Sequence, residues 1–517
     1  MDQPPNNQIF AGARRECLLA GLLLAFFFLI NLVVITHTPT VAGDEPGYAD
    51  PAANLYLGSG FTSTMWGQDS RAFWCGNVPL CQYILYADFK LFGFGLFQAR
   101  AAGIFLAGGG AFLIWAGLRF SRIIAAPAGR ILCLALVLSG AVSTLTFRTI
   151  RPDTTMFFFC ALVFFFSQLP LRRGRRWLLA GAAGILLPAA GIPMLPYAGL
   201  MAMITIACLG WAEAGLFVSV GLGICSGLGL LAIFYNHFSS LKTFVTIVLP
   251  FTGLGGGDGG GQGTLRAKFF GVYPGDDNLL TCFFGNPFSF YDPKTICDYS
   301  AALLFVLFLV IAIRVWPSAP PLVRRRIIFV VLLTLLVPPA MHVAGHYRSG
   351  YRWMTYIPLT IAVPWVLGLE SGIARPRMLS CVAMVFIGAS LFAGIPARTL
   401  IALHSWPARS ITPIEQAAAA LVHPDDIIIC SRSVWFAVRP RARQVYCCNL
   451  PARGALPLTV NLPTNNISLL CLFPEHYDDV IRAIGGRWQK IPSAECPVLP
   501  ALATTIYNVD FYRRQKE

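Results

Sequence analysis

The sequence carries little charge for its length. Of its 517 residues, 12% are charged and 56% are hydrophobic, and the mean hydropathy is +0.64. A water-soluble globular protein needs a more polar surface than this composition provides. The apolar residues occur in runs long enough to cross a hydrocarbon core of about 30 Å as helices. We therefore predict a polytopic α-helical membrane protein.

Three signatures of other protein classes are missing. The 15 cysteines include no Cys-x-x-Cys pair, so a zinc module is not expected. The glycine-rich segment 254–263 is not followed by the Gly-Lys-Ser/Thr of a phosphate-binding loop, which argues against nucleotide binding there. The first apolar run, residues 17–37, lacks a small-x-small cleavage site, and we interpret it as a retained span.

Basic residues are concentrated in short segments between the apolar runs, as at 172–176 and 324–326. This distribution is typical of cytoplasmic loops, so the net charge of +15 indicates membrane topology rather than nucleic-acid binding. Placing these basic segments in the cytoplasm gives about eleven spans, with the N-terminus in the cytoplasm and the C-terminus outside it. The predicted spans cover residues 17–37, 97–118, 131–147, 154–170, 177–190, 193–211, 216–235, 301–316, 327–344, 354–369 and 379–396.

The fifth and sixth predicted spans form either a hairpin or one broken helix, because prolines and a glycine interrupt them. The hairpin is favoured, since it keeps the later arginine-rich loops inside. This topology places the loops 38–96, 236–300 and 345–353 outside.

Residues 397–517 differ in character from residues 1–396, which we assign to a transmembrane domain. The segments DDIIIC, RQVYCC, ISLLCLF and TTIYNVDFY are predicted as short strands. SVWFAVR and EHYDDVIRAIGG are predicted as helices. Strands that alternate with helices indicate a small extracytoplasmic α/β domain.

Carboxylates gather at one predicted membrane face. Asp44 and Glu45 directly follow the first span, and Asp50-Pro51 has the pattern of a helix N-cap followed by proline at the first helical position. Asp153 opens the fourth span, close to Arg151. Asp153 could cap that helix, take part in chemistry, or do both.

The same face carries basic and aromatic residues. The loop GHYRSGYRWMTYIP contains His346, Arg348 and Arg352, and arginines outside the cytoplasm oppose the usual charge bias. An anionic partner such as phosphate would explain them, because guanidinium binds phosphate well. Lys268 could add to this basic site or contact lipid headgroups. Trp353 and Tyr356 are interpreted as interfacial belt residues.

Taken in order, these motifs resemble a known family. An acidic DE followed by Tyr and a short helix, an RPD that opens the fourth span, and an RW before a proline-containing span resemble polyprenyl-phosphate-sugar-dependent glycosyltransferases of the GT-C superfold. The similar groups are dolichyl-phosphate-mannose protein mannosyltransferases, lipid A aminoarabinose transferases and rhizobial lipopolysaccharide galacturonosyltransferases. The resemblance covers about residues 15–400.

The resemblance implies roles for individual residues. Asp44, Glu45 and Asp153 would be the catalytic residues, with Asp44 as the base or the group that orients the acceptor, Glu45 beside it and Asp153 as the second acid. The donor-phosphate cations would be Arg348, Arg352, His346, Arg151 and Lys268, and Tyr48 and Tyr351 would line the substrate site. No metal ligand is assigned. A divalent metal is a possible cofactor that Asp44 and Glu45 could bind, although the nearby arginines favour metal independence.

The expected activity is transfer of a sugar from a polyprenyl phosphate to an envelope acceptor, with inversion at the anomeric carbon. The acceptor would be lipopolysaccharide, another glycan or a protein, at the outer face of the cytoplasmic membrane. The alternative is a transporter or flippase of lipid-linked substrates, which should carry ionisable residues inside its spans. A scaffold protein is a third alternative, and it would leave the grouped acids and arginines unexplained.

Overall fold

The structure is a computed structural model, which describes a defined part of the chain. The described residues are 6–41, 44–63, 73, 78–121, 123–140, 146–211, 214–248, 299–343, 351–370, 377–447, 464–491 and 507–515.

The apolar runs of the sequence form helices. Each predicted span overlaps a helix, or two successive short helices at 173–190, although the helix in the predicted span 131–147 ends at Ser139. The helices of this part of the chain are α1 (Asn6–Val34), α2 (Glu45–Tyr56), α3 (Pro79–Phe92), α4 (Leu96–Ser121), α5 (Pro127–Ser139), α6 (Asp153–Gln168), α7 (Arg173–Gly184), α8 (Leu187–Ala190), α9 (Met194–Leu209), α10 (Ala214–Phe238), α11 (Leu241–Val248), α12 (Tyr299–Val315), α13 (Pro321–Val343), α14 (Trp353–Glu370), α15 (Arg377–Phe392) and α16 (Ile395–His404).

The number of membrane crossings stays a prediction. Within the described residues, four helices are long and apolar enough to cross a membrane, or up to five if the bent pair Ser380–Phe392 and Ile395–His404 is one span. Shorter apolar helices make up much of the remaining bundle. The tightly buried core runs between the helices, and large apolar side chains on α1 and α10 face outward. This is the burial pattern of a protein whose outer surface contacts lipid.

The helix after the first span begins earlier than predicted. Asp50 is not its N-cap, because α2 starts at Glu45 and continues through Pro51. Pro46 lies in the first turn, where a missing N–H costs no hydrogen bond, and Glu45 suits the positive end of the helix. The buried carboxylate of Asp50 instead accepts a hydrogen bond from the Ser63 hydroxyl at 3.1 Å.

The C-terminal segment forms a small α/β unit. Its described elements are α17 (Thr412–Leu421), β1 (Ile427–Cys430), α18 (Trp435–Val438), β2 (Gln444–Cys447), β3 (Leu469–Leu472), α19 (Tyr477–Ile484), β4 (Trp488–Lys490) and β5 (Asp510–Arg514). The strand order is β2-β1-β3-β5-β4. The first three strands are parallel, and β5 pairs antiparallel with β3 and β4. The predicted domain boundary between residues 396 and 397 falls within α16 and stays a prediction.

The α/β unit packs directly against the loop helices α2 and α3. The two parts share one apolar core, in which Ala49 and Ala52 of α2 lie in the same cluster as Ile414 and Trp435. Polar contacts support this packing. Two nitrogens of Arg439 donate to the Asn54 side-chain oxygen at 3.2 and 2.7 Å, and the Val41 N–H donates to the Tyr507 hydroxyl at 3.0 Å. The packing holds the α/β unit beside the start of α2.

Candidate active site

A buried ion pair fixes the start of α2. Arg100 on α4 donates from Nε and Nη2 to the two carboxylate oxygens of Glu45 at 2.9 and 2.7 Å. The Ile150 N–H also donates to Glu45, at 3.0 Å. Arg100 further donates to the carbonyls of Ile35 and Pro39. Because both oxygens of Glu45 are engaged and the pair is almost fully buried, Glu45 holds the loop in place and positions its neighbour Asp44.

Arg151 lies between two carboxylates from distant parts of the chain. Its Nη1 is 3.2 Å from Oδ2 of Asp44, and its Nε is 2.9 Å from Oδ2 of Asp153. The rings of Tyr48 and Tyr351 lie 5.7 and 5.8 Å from its guanidinium. Burial alone would lower the pKa of Arg151, but Asp153 and the two tyrosines outweigh burial and raise it above its ordinary value. Arg151 therefore stays charged and joins the two acids.

Asp153 does not cap its helix. Helix α6 starts at Asp153 itself, with no side-chain cap hydrogen bond. The fully buried carboxylate is held by Arg151 and by the indole N–H of Trp353, which donates at 3.3 Å. The belt interpretation of Trp353 and Tyr356 is wrong, because both side chains are buried inside the bundle. The Tyr356 hydroxyl donates to the Leu136 carbonyl at 3.0 Å.

The α/β unit contributes a further cation. Arg432 begins the short 3-10 turn Arg432–Val434 after β1, and its Nη1 lies 3.6 Å from Oδ1 of Asp44. Sequence reasoning missed this residue. Arg432 is one of 39 basic residues and belongs to no motif, and its contact with Asp44 depends on how the α/β unit docks.

The remaining predicted site residues are only partly described. Arg352 is buried in the turn before Trp353, which places its backbone beside the site. His346, Arg348 and Lys268 lie outside the described residues. In the part of the chain that the structure describes, no group of three or more His, Cys, Asp or Glu side chains is placed to hold a metal ion.

The geometry gives the site an open side and a closed side. The side chains of Asp44, Arg151 and Arg432 are 20 to 27% exposed, whereas Asp153 is fully buried. A carboxylate that solvent can reach can accept a proton from a bound hydroxyl group. The two guanidinium groups beside it can bind an anion or stabilise developing negative charge. The arrangement therefore suits a reaction between a hydroxyl and an anionic compound.

Two crystal structures of ArnT from Cupriavidus metallidurans are similar to this chain. For the structure bound to undecaprenyl phosphate, the sequence identity is 12%, the match covers 95% of this chain and 97% of that chain, and the TM-score is 0.61. The apo structure gives the same values. The oligosaccharyltransferase from Archaeoglobus fulgidus, tethered with an acceptor peptide, has 12% identity over 93% of this chain and 71% of that chain, with a TM-score of 0.48. No family model and no curated protein sequence match this chain.

The fold class follows from the likeness to ArnT. The chain is a helical membrane protein of the GT-C fold with a small C-terminal sheet. The resemblance stated from the sequence motifs is thereby confirmed at the level of the fold. At 12% identity, the likeness does not extend to a reaction.

The substitution Glu45→Gln tests the positioning role of Glu45. It leaves the Arg100 guanidinium buried without a counter-charge, and we expect a loss of about 3–5 kcal/mol of stability. The expected result is a lower folded yield in detergent and a lower apparent Tm. As a control, Asp479→Asn breaks a largely exposed pair with Arg482 and should cost less than about 1 kcal/mol. Normal folding of the Glu45→Gln protein would contradict a positioning role and favour the predicted catalytic one.

Proposed function

We propose that the protein is a membrane glycosyltransferase that moves a sugar from a polyprenyl phosphate to an envelope acceptor at the outer face of the cytoplasmic membrane. The observation that carries this proposal is the bridge of Arg151 between Asp44 and Asp153. The bridge brings together acids and a cation that the sequence motifs associate with this class of enzyme. The similarity to ArnT, whose crystal structure is described as bound to undecaprenyl phosphate, supports a lipid phosphate as the donor.

In the proposed reaction, Asp44 acts as the base. The acceptor hydroxyl oxygen forms a bond to the anomeric carbon while the bond from that carbon to the phosphate oxygen breaks. The hydroxyl proton passes to the Asp44 carboxylate, and polyprenyl phosphate leaves with the electron pair. Attack from the side opposite the phosphate inverts the configuration. Base catalysis of this kind contributes roughly 10²–10⁴-fold in rate.

The departing phosphate needs cations. Arg151 keeps its charge while it is bonded to the two carboxylates, and its side chain is 20% exposed, close to the 25% of Asp44. Arg352, Arg348, His346 and Lys268 remain proposed donor-phosphate ligands. Asp153 acts on this arrangement indirectly, because it holds Arg151 in position.

The α/β unit is proposed to take part in acceptor binding. Arg432 reaches Asp44 from the side of this unit, so an acceptor that approaches Asp44 passes between the α/β unit and the helical bundle. Lipopolysaccharide, another envelope glycan and a protein are the acceptor classes to be tested.

The substitution Asp44→Asn should abolish most of the activity. We expect sugar transfer to fall by about 10²–10⁴-fold, because asparagine cannot take the acceptor proton. Purified protein would be assayed with undecaprenyl phosphate that carries radiolabelled aminoarabinose, galacturonic acid or mannose, and with lipopolysaccharide or membrane proteins as acceptors. The exposed Asp425→Asn is the matched control and should keep full activity. Full transfer by a folded Asp44→Asn protein would remove Asp44 from the chemistry.

The substitution Arg432→Met tests the contribution of the α/β unit. Loss of the cation beside Asp44 should lower kcat/KM by about tenfold, equivalent to about 1.4 kcal/mol. Arg432→Lys keeps the charge and should recover part of the loss, which a purely steric effect would not allow. Arg482→Met, at a side chain that is 78% exposed, serves as the control. Unchanged kinetics in Arg432→Met would place this arginine outside the site.

A further inference from the structure

A second group of arginines lies apart from the Asp44–Arg151–Asp153 bridge. Arg148, in the loop between α5 and α6, is fully buried, and Arg398 on α16 is 6% exposed. Nε of Arg148 donates to the side-chain oxygen of Asn31 on α1. The start of α16 packs so closely on the end of α5 that a Cβ on Gly394 would overlap the Ser139 carbonyl. The two arginines therefore lie where α1, α5 and α16 meet.

These two arginines have no anionic partner among the described residues. In the part of the chain that the structure describes, four buried nitrogens have no hydrogen-bond partner: Nη1 and Nη2 of Arg148, and Nε and Nη2 of Arg398. The pKa of Arg148 is lowered to about 9. Burial is the largest cause, and the positive charges of Arg398 and Arg100 add to it. The carboxylate of Glu45 is already paired with Arg100, so its charge offsets that of Arg100 and leaves Arg148 and Arg398 without a counter-charge of their own among the described residues.

Two buried guanidinium groups of like charge are costly when nothing neutralises them. The effective penalty for burying an uncompensated ion is large enough that buried charges are normally paired. Phosphate oxygens match the fork geometry of arginine and can accept several N–H bonds at once. These four nitrogens can therefore donate hydrogen bonds to the oxygens of a bound oxyanion.

The surroundings favour an anion that belongs to a lipid. Leu29 and Val33, on either side of Asn31 in α1, are each more than half exposed, as are Leu400 and Leu403, which follow Arg398 in α16. Exposed apolar side chains on a membrane helix contact acyl chains. A lipid whose chains lie along these two helices would have its headgroup near the buried arginines.

We propose that Arg148 and Arg398 form a binding site for a phosphate monoester, distinct from the Asp44 site, and that a membrane lipid supplies it. Free inorganic phosphate shares the same chemistry and is the other source to be tested. The proposal is independent of the proposed transfer reaction, because neither arginine contacts Asp44, Arg151 or Asp153 in the described structure.

The test compares apparent Tm values of the full-length protein in nanodiscs. The discs contain phosphatidylcholine alone, phosphatidylcholine with phosphatidylglycerol, or phosphatidylcholine with phosphatidic acid, which carries a phosphate monoester. We expect phosphatidic acid to raise the apparent Tm by about 2–4 °C more than phosphatidylglycerol does. The double variant Arg148→Met, Arg398→Met should lose this extra rise, and the surface variant Arg482→Met should keep it.

A parallel arm adds inorganic phosphate to phosphatidylcholine discs at constant ionic strength. A rise in this arm that the double variant lacks would support the site with free phosphate as its occupant. Should the double variant fail to fold, the single variants Arg148→Lys and Arg398→Lys, which keep the charge but lose the fork, should each reduce the rise. The Asp44→Asn protein should keep the full rise, so a failure of the transfer reaction would not affect this result.

Two outcomes would overturn the proposal. In the first, phosphatidic acid does not raise the apparent Tm of the wild-type protein above its phosphatidylglycerol value, and inorganic phosphate does not raise it above its phosphatidylcholine value. In the second, the double variant shows the same rise as the wild-type protein. A double variant that is more stable than wild type in every disc, with no response to phosphate in either protein, would show that the two arginines are simply unpaired.

Discussion

The bridge of Arg151 between Asp44 and Asp153 is the interaction on which the site depends. Two carboxylates close together would repel each other. A guanidinium between them removes that repulsion and fixes their orientation, because its planar fork bonds each acid in a defined direction. Asp44 can therefore face solvent while Asp153 stays buried. The two acids then have different proposed roles: Asp44 accepts the proton, and Asp153 holds Arg151 in position.

The scaffold around this bridge is rigid on one side and accessible on the other. Glu45 and Arg100 fix the loop after α1 to α4, so Asp44 is held one residue from a buried ion pair. Trp353 brings the start of α14 to Asp153. On the open side, Arg432 comes from the α/β unit, whose core is continuous with that of α2 and α3. A reacting group held by rigid elements loses little orientation between turnovers.

Much of the site could be predicted because each acid lies next to a long apolar run. The order of the runs along the chain then assigns Asp44 and Asp153 to one membrane face. The sequence predicted local structure less well where the same residues fit two different structures. The Asp50-Pro51 pattern predicted a helix start at Pro51, whereas the helix begins at Glu45 with Pro46 in its first turn. A tryptophan at the end of a span suits both a lipid interface and a buried hydrogen bond, so the sequence could not reveal the contact of Trp353 with Asp153.

Arg432 could not have been predicted, because its role depends on a tertiary contact between residues almost 400 positions apart in the chain. Strand β4, which no sequence pattern predicted, shows a similar limit. β4 has only three residues, and its pairing with β5 is set by the sheet rather than by its own pattern.

The most direct test of this account is a double-mutant cycle on Arg151 and Asp153. Sugar transfer would be measured for Arg151→Met, for Asp153→Asn and for the combined variant, each with its folded fraction determined. If the two residues act as one unit with Asp44, the combined variant should transfer sugar within about threefold of the slower single variant. Losses that multiply in the combined variant would show that Arg151 and Asp153 act independently and would contradict the account.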